Sequence, residues 1–349
     1  MPLEHADLAV AETAVGTCSS ATSSLAQNSG SQSEDTPRSR GRDIEIIGAA
    51  VGSGAGDPRC EYGPDTLREW GFDRRLAAMG CKARWREQIY PHYGADKTVP
   101  QTIVPEFCAR LMHAVAGACR RGVLPLVLGG DHSCGIGTWS GVHQTVLQRG
   151  ALGLIWIDAH MDSHTPDTTP SGALHGMPLA ALLGYGDARL VRLGGIQAKL
   201  AARHVCLLGV RSFEPGEANL VERLGVRVFF IDEIRSRGLP AVMADALAIV
   251  QSGTVGFGVS IDLDAVDPAE APGVGSPVQG GLRGDELVAA LRAVAENPRL
   301  LGLEIVEYNP FLDVAGATRE LALQLAAAAL LPAAAATALL PRPVANLAA

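Results

Sequence analysis

Asp158, His160 and Asp162 stand at every second position directly after the apolar run Gly153-Leu154-Ile155-Trp156-Ile157. In extended backbone, residues i, i+2 and i+4 project to one side, so the spacing predicts three metal-ligand side chains converging at the carboxyl end of a buried strand. Asp262 and Asp264 follow a second run, Gly256-Phe257-Gly258-Val259-Ser260-Ile261, and His132 follows a third, Leu124 to Leu128, within Gly129-Gly130-Asp131-His132-Ser133. Together these give two imidazoles, four carboxylates and no sulfur. Such a set suits two divalent ions and favours harder metals such as manganese over zinc. Two dications would also balance four carboxylate charges, which could not otherwise share a low-dielectric cleft without strongly raised pKa values. A water held by such ions loses a proton near neutral pH and becomes a nucleophile. Taken singly, the pieces have plainer readings. Asp131-His132 reads as a turn with a solvated histidine, Asp262-x-Asp264 as a helix cap or a lone magnesium site, and Asp267-Pro268 as a turn initiator. The three stretches together argue for chemistry.

Ligands on three strand ends need a sheet that brings those ends together. Strands are predicted at Ile44 to Ala49, Leu124 to Leu128, Leu152 to Ile157, His204 to Val210, Val226 to Ile231, Val255 to Ile261 and Leu300 to Val306. Helical patterns lie between them, at Gly63 to Gly71, Val104 to Arg121, Gly135 to Gln148, Gly176 to Leu183, Glu217 to Arg223, Pro240 to Gln251, Asp285 to Glu296 and Thr318 to Leu331. Near-continuous apolar strands alternating with helices imply an α/β fold: one three-layer domain with a central, mostly parallel sheet covered on both faces. Open parallel sheets place their sites at the carboxyl ends of the strands. The glycines Gly52, Gly54 and Gly56 after the first strand do not have dinucleotide-binding spacing and read as a loop. Residues 1–42, rich in Ser, Ala, Thr and Gln, are expected to be a disordered extension, and 332–349 an Ala-rich tail, leaving 43–331 as the domain.

The chain has 349 residues, with 29 basic against 37 acidic side chains and a formal net charge of −8. It therefore lacks a basic footprint for nucleic acid or an anionic membrane surface, and a small-molecule partner is expected. Seven scattered cysteines without a Cys-x-x-Cys pair point away from a disulfide framework or thiolate zinc site and fit a reducing cytoplasm. The acidic amino terminus is a poor signal peptide, and no run is long and clean enough to span a bilayer.

Gly129-Gly130-Asp131-His132-Ser133, Asp158-Ala159-His160-Met161-Asp162 and Ser260-Ile261-Asp262-Leu263-Asp264-Ala265-Val266-Asp267-Pro268, in this order, resemble the three signature motifs of the arginase/agmatinase (ureohydrolase) family, and the resemblance covers roughly residues 44 to 331. It implies a binuclear manganese centre, with nickel and cobalt as alternatives, and hydrolysis of a guanidino group to urea and an amine by a metal-bridging hydroxide. Carried over by position, His132 and Asp262 each bind one ion, Asp158 and Asp264 bridge the pair, and His160 and Asp162 complete the shells. Within the family the chain is most similar to arginases. Thr168-Thr169-Pro170-Ser171-Gly172-Ala173-Leu174-His175-Gly176 resembles the specificity loop, with His175 as the proton-transfer histidine. Arg211-Ser212-Phe213-Glu214-Pro215-Gly216-Glu217 resembles the segment that receives the substrate α-amino group. Glu307 matches the carboxylate that holds the guanidinium, a planar cation that pairs bidentately with it.

The departures lie at the substrate's outer end. Two asparagines expected to bind the α-carboxylate are His164 and Ala173 here, and the amine-binding aspartate is the longer Glu214. The resemblance implies an arginase hydrolysing L-arginine to L-ornithine and urea, with Asp162 orienting the nucleophile, His175 assisting proton transfer, and His164, Ser171 and Glu214 binding the amino-acid end. Hydrolysis of guanidinobutyrate or agmatine is the alternative within that chemistry. A catalytically silent metal-binding homologue is the alternative outside it. A homo-oligomer, trimer or hexamer, is also implied.

Overall fold

Strands that are apolar on both sides must be sandwiched, and the chain solves this with one sheet between two layers of helices. The computed structural model describes residues 42–93, 99–295 and 297–331; apart from residue 42, the expected amino-terminal extension and carboxyl-terminal tail lie outside them. The strands are β1 (Asp43–Ala49), β2 (Lys82–Ile89), β3 (Leu124–Gly129), β4 (Ala151–Ile157), β5 (Val205–Val210), β6 (Arg227–Phe230), β7 (Thr254–Asp262) and β8 (Leu300–Val306). They form one sheet in the order β2-β1-β3-β8-β7-β4-β5-β6, and every pairing is parallel. Successive residues of β4 alternate between two cores: Ile155 and Ile157 pack with Phe257, Leu303 and the helix Leu239–Gln251, whereas Leu154 and Trp156 pack with Trp139, Leu111 and the helix Pro100–Arg120. That alternation is why these strands carry no polar stripe.

The chain order reverses inside the sheet. From β3 it passes over to β4, and β8 and β7 later fill the gap. The crevice this leaves at the carboxyl ends of the four central strands is where a parallel sheet accommodates a ligand, and His132, Asp158, Asp262 and Glu307 all lie there.

Four stretches depart from their expected elements. β2 is an edge strand, Lys-Ala-Arg-Trp-Arg-Glu-Gln-Ile, half exposed along its length, so it carries no apolar run. It is tied to the sheet by Arg84, which donates to the buried Glu45 of β1 at 2.6 Å. The strand expected at Val226 to Ile231 stops at Phe230, and Ile231 opens the helix Ile231–Arg237. The expected helix from Gly63 ends at Glu69, and a second, Phe72–Ala78, follows a left-handed Gly71. The long helix begins at Pro100 rather than Val104 and runs through Pro105.

Gly258 in β7 faces the indole of Trp139, and a Cβ there would lie 1.9 Å from the ring. The Trp139 indole N–H donates to the buried Glu304 carboxylate at 3.0 Å, so the ring cannot swing away without breaking that bond. Gly258→Ala is therefore expected to destabilise the fold by about 1–3 kcal/mol or more through overpacking. Urea denaturation measures this, and an unchanged midpoint would contradict the packing described.

Candidate metal centre

Each candidate ligand is placed by the way its strand stops. β3 ends at Gly129 and passes into Gly130-Asp131-His132. Gly130 has no room for a side chain, since a Cβ there would lie 1.8 Å from the Val51 carbonyl oxygen. The Asp131 carboxylate accepts from the Ser133 N–H at 2.9 Å and from the Gly54 N–H at 2.7 Å. This turn is the one expected for Asp131-His132, but its histidine is buried, not solvated. The His132 ring stacks on Trp156, with centroids 4.1 Å apart, and its Nε2 lies 3.0 Å from Ser260 Oγ, which donates to Glu304 at 2.6 Å.

β4 ends at Ile157, one residue before Asp158, and Asp162 adopts a left-handed backbone with φ of 48°. The run Asp158 to Asp162 thus bends away from the strand rather than continuing as extended chain, and Asp158 and Asp162 both reach the His132 imidazole. Asp158 Oδ1 accepts from the His160 N–H at 2.7 Å and its Oδ2 from the Trp156 indole at 2.9 Å. Asp262 closes β7 and accepts from the Asp264 N–H at 2.8 Å, so it caps the short turn Leu263–Ala265 and also faces the site.

Five of the six side chains gather into two overlapping groups, His132, Asp158 and Asp262, and Asp158, His160 and Asp264; Asp162 belongs to neither but lies against His132. Asp158 belongs to both, whereas Asp264 belongs to the second alone, so the grouping does not share Asp264 between them. His132 Nδ1 lies 3.2 Å from Asp158, 3.0 Å from Asp162 and 3.2 Å from Asp262, yet it makes no hydrogen bond, and neither does Asp162 Oδ2. Buried polar atoms are ordinarily paired. Imidazole and carboxylate lone pairs that crowd together without a shared proton are the arrangement that a cation satisfies. His160 Nδ1 is 3.4 Å from Asp158 and 3.1 Å from Asp264.

The electrostatics carry the same message. Burial first, and then repulsion from neighbouring carboxylates, pushes Asp162, Asp262 and Asp264 above the usual carboxylate range. Burial acts on Asp158 in the same direction, but the adjacent His132 and His160 imidazoles overcome it and hold Asp158 low. Burial opposes protonation of His132 and His160, and the surrounding carboxylates reverse this for both. Four buried carboxylates this close repel one another, and divalent ions would offset that repulsion. The residues present therefore fit a metal centre of oxygen and imidazole ligands.

Glu307 follows β8 and has φ of 65°, a left-handed conformation costly for a side chain with a Cβ. It is held there because its N–H donates to the Gly130 carbonyl at 2.7 Å and its Oε1 accepts from the His132 N–H at 2.9 Å. The same oxygen is 3.1 Å from His175 Nδ1. Burial alone would lower the His175 pKa, but the Glu307 carboxylate raises it to about 9; burial raises Glu307 and His175 brings it below its ordinary range. His175 is anchored by its own N–H, which donates to the Gly54 carbonyl at 3.1 Å. The glycine loop of the sequence thus lies under the site, and at Gly54 a Cβ would meet Asp131 at 2.7 Å.

A cavity of about 170 Å³ opens from the ligands and is lined by His160, Asp162, His164, Ser171, Ala173, His175, Glu214, Glu217 and Ser276 among others. His164, Ser171 and Glu214 all reach it. His164 Nε2 is 3.0 Å from Glu214 and 3.5 Å from Glu217, and its Nδ1 is 3.1 Å from Thr168 Oγ1. Glu217 was not singled out in the sequence. It stands three residues after Glu214 at the start of the helix Pro215–Leu224, hence on the same face, and that spacing was the available signal. Its carboxylate accepts from the Ser163 and Glu214 N–H groups, each at 3.1 Å, and burial holds its pKa above the usual range.

Known proteins are similar to this chain over the described body. The profile of the Arginase family matches residues 42–331. The arginase of Brevibacillus brevis is 39% identical, with 81% of this chain and 96% of that one covered. The arginase of Bacillus subtilis strain 168 is 41% identical over 81% of this chain and 95% of its own. A crystal structure of arginase from Bacillus subtilis superposes with a TM-score of 0.77 at 34% identity, covering 83% of this chain and 98% of that one. With the three ligand stretches at the ends of β3, β4 and β7 and a family match from the first described residue to the last, the chain belongs to the arginase family, hydrolases acting on guanidino compounds.

Proposed function

We propose that the chain is an arginase that hydrolyses L-arginine to L-ornithine and urea with two manganese ions bound. The observation that supports this best is the unpaired His132 Nδ1 among three carboxylate oxygens, in a residue whose own N–H donates to the buried Glu307. His132, Asp158, Asp162 and Asp262 would hold one ion and Asp158, His160 and Asp264 the other. Bound, the ions supply Lewis acidity and lower the pKa of a water. Glu307 pairs with the guanidinium, and Asp162, with one oxygen free of hydrogen bonds, orients the attacking water and takes its proton. His175, protonated at neutral pH, gives a proton to the leaving amine as the carbon–nitrogen bond breaks. At the outer end Glu214 and Glu217 face the α-amine, and His164 and Ser171 supply polar contacts for the α-carboxylate.

Among the described residues no helix is long and apolar enough to cross a membrane, and the six described cysteines are free, which supports the reading of a cytoplasmic protein. A trimer or hexamer is proposed from the family resemblance, with light scattering as its test.

Urea release from L-arginine, agmatine and 4-guanidinobutyrate, with manganese added, tests the assignment. L-arginine is expected to have the highest kcat/KM. If 4-guanidinobutyrate, which lacks the α-amine, exceeds it, Glu214 is not an amine receptor and the arginine assignment fails. The pH profile is a separate prediction. The rate should rise from acid pH as the ligands lose protons and hold metal, and fall above about 9, where His175 loses the proton that Glu307 stabilises. A maximum on the acid side of neutrality with metal fully retained would contradict the mechanism.

A further inference from the structure

Arg211 lies in the segment expected to meet the substrate, yet it does not line the cavity. Its guanidinium turns the other way, beneath the ligands. One terminal nitrogen donates to the carbonyls of Gly209 at 3.3 Å and Ala265 at 3.1 Å, and the other to Asp264 at 2.7 Å and Val278 at 2.8 Å. Its own backbone N–H, with that of Ser212, donates to the Ala159 carbonyl at 2.9 and 3.0 Å. One residue therefore joins the bend that carries His160 to the turn that carries Asp264, two segments more than a hundred positions apart. The local chain is shaped for this. β5 has an irregular register at Gly209, whose φ is 99°, and at Gly281 a Cβ would come within 2.8 Å of the guanidinium.

We propose that Arg211 is a positioning residue for one half of the metal cage, the half made by Asp158, His160 and Asp264; this rests on the two-ion reading above. The other half has independent supports. His132 is fixed by Trp156, Ser260 and Glu307, and Asp262 is the last residue of β7. A planar guanidinium can bind four carbonyls in two directions at once, whereas a lysine ammonium on a similar stem keeps the charge but not the fork. The charge also acts on Asp264 and Asp158, and Arg211→Lys separates charge from geometry.

The test is a manganese titration of metal-free protein, read from the paramagnetic resonance of free manganese, for wild type, Arg211→Lys and Arg211→Gln. Wild type should bind two ions. Both variants should bind the first with wild-type affinity and the second at least about tenfold more weakly, the scale on which residues supporting metal ligands act. Wild-type binding of both ions in Arg211→Lys, or equal weakening of both, would overturn the inference, as would loss of the fold in both variants, which would make Arg211 a determinant of the whole structure. A wild-type chain that binds fewer than two ions would refute the metal reading itself and this inference with it.

Discussion

Asp158→Asn should remove metal and activity together. Its two oxygens face different partners: one is 3.2 Å from His132 Nδ1 and the other 3.4 Å from His160 Nδ1. It is the fully buried carboxylate common to both ligand groups. An amide keeps the volume but offers one neutral oxygen and an NH₂ that points donors at a cationic centre. Loss of a residue that merely supports a metal ligand already costs about 10–100-fold in affinity or activity, so loss of a carboxylate common to both groups should cost at least about 100-fold in kcat/KM. The loss should appear in metal content as well as in urea release, because the same oxygens serve both. A variant that keeps full metal content and wild-type kcat/KM would show that Asp158 is not a ligand.

Glu307→Gln should be nearly as damaging, by a different route. In the proposed mechanism the variant removes the anion that would pair with the guanidinium, and truncating one partner of a buried charge pair costs about 2–5 kcal/mol, or roughly 30- to several-thousand-fold in kcat/KM. Metal content should stay close to wild type, since Glu307 is in neither ligand group. The variant also carries a signature in pH. Glu307 is what raises His175 to about 9 against the effect of burial. With a neutral amide in its place the imidazolium loses that stabilisation, so the alkaline limb of the profile should move to lower pH. An unchanged alkaline limb would mean that a group other than His175 sets it.

The parts of the site that were legible are those in which the sequence repeats a local rule. Apolar runs ending in Asp, His and Asp mark strand ends, and β3, β4 and β7 end within one residue of their expected positions. The three-dimensional reason for convergence was not legible. Alternation after Ile157 suggested an extended ladder, but the run bends away from the strand and Asp162 is left-handed, and backbone conformation at one residue has no composition signal when that residue is not glycine. Glu307 has the same character, being held in a left-handed conformation by the Gly130 carbonyl and the His132 N–H, groups more than 170 positions away. Asp262 also shows that a plain reading and a functional one can both be right, since the side chain that caps the turn after β7 is also a ligand candidate. Arg211, Ser260 and Glu304 act on backbone or on other side chains, and such supporting roles appear only once the fold has brought their partners near.

In the proposed centre Asp158 sits between two cation positions, and the number of ions the purified chain retains tests this most directly. Protein loaded with manganese, freed of excess ion and analysed for metal by mass spectrometry should contain two ions per chain, and urea release should disappear as chelator removes them. One ion per chain, or full urea release after both have been stripped, would contradict it.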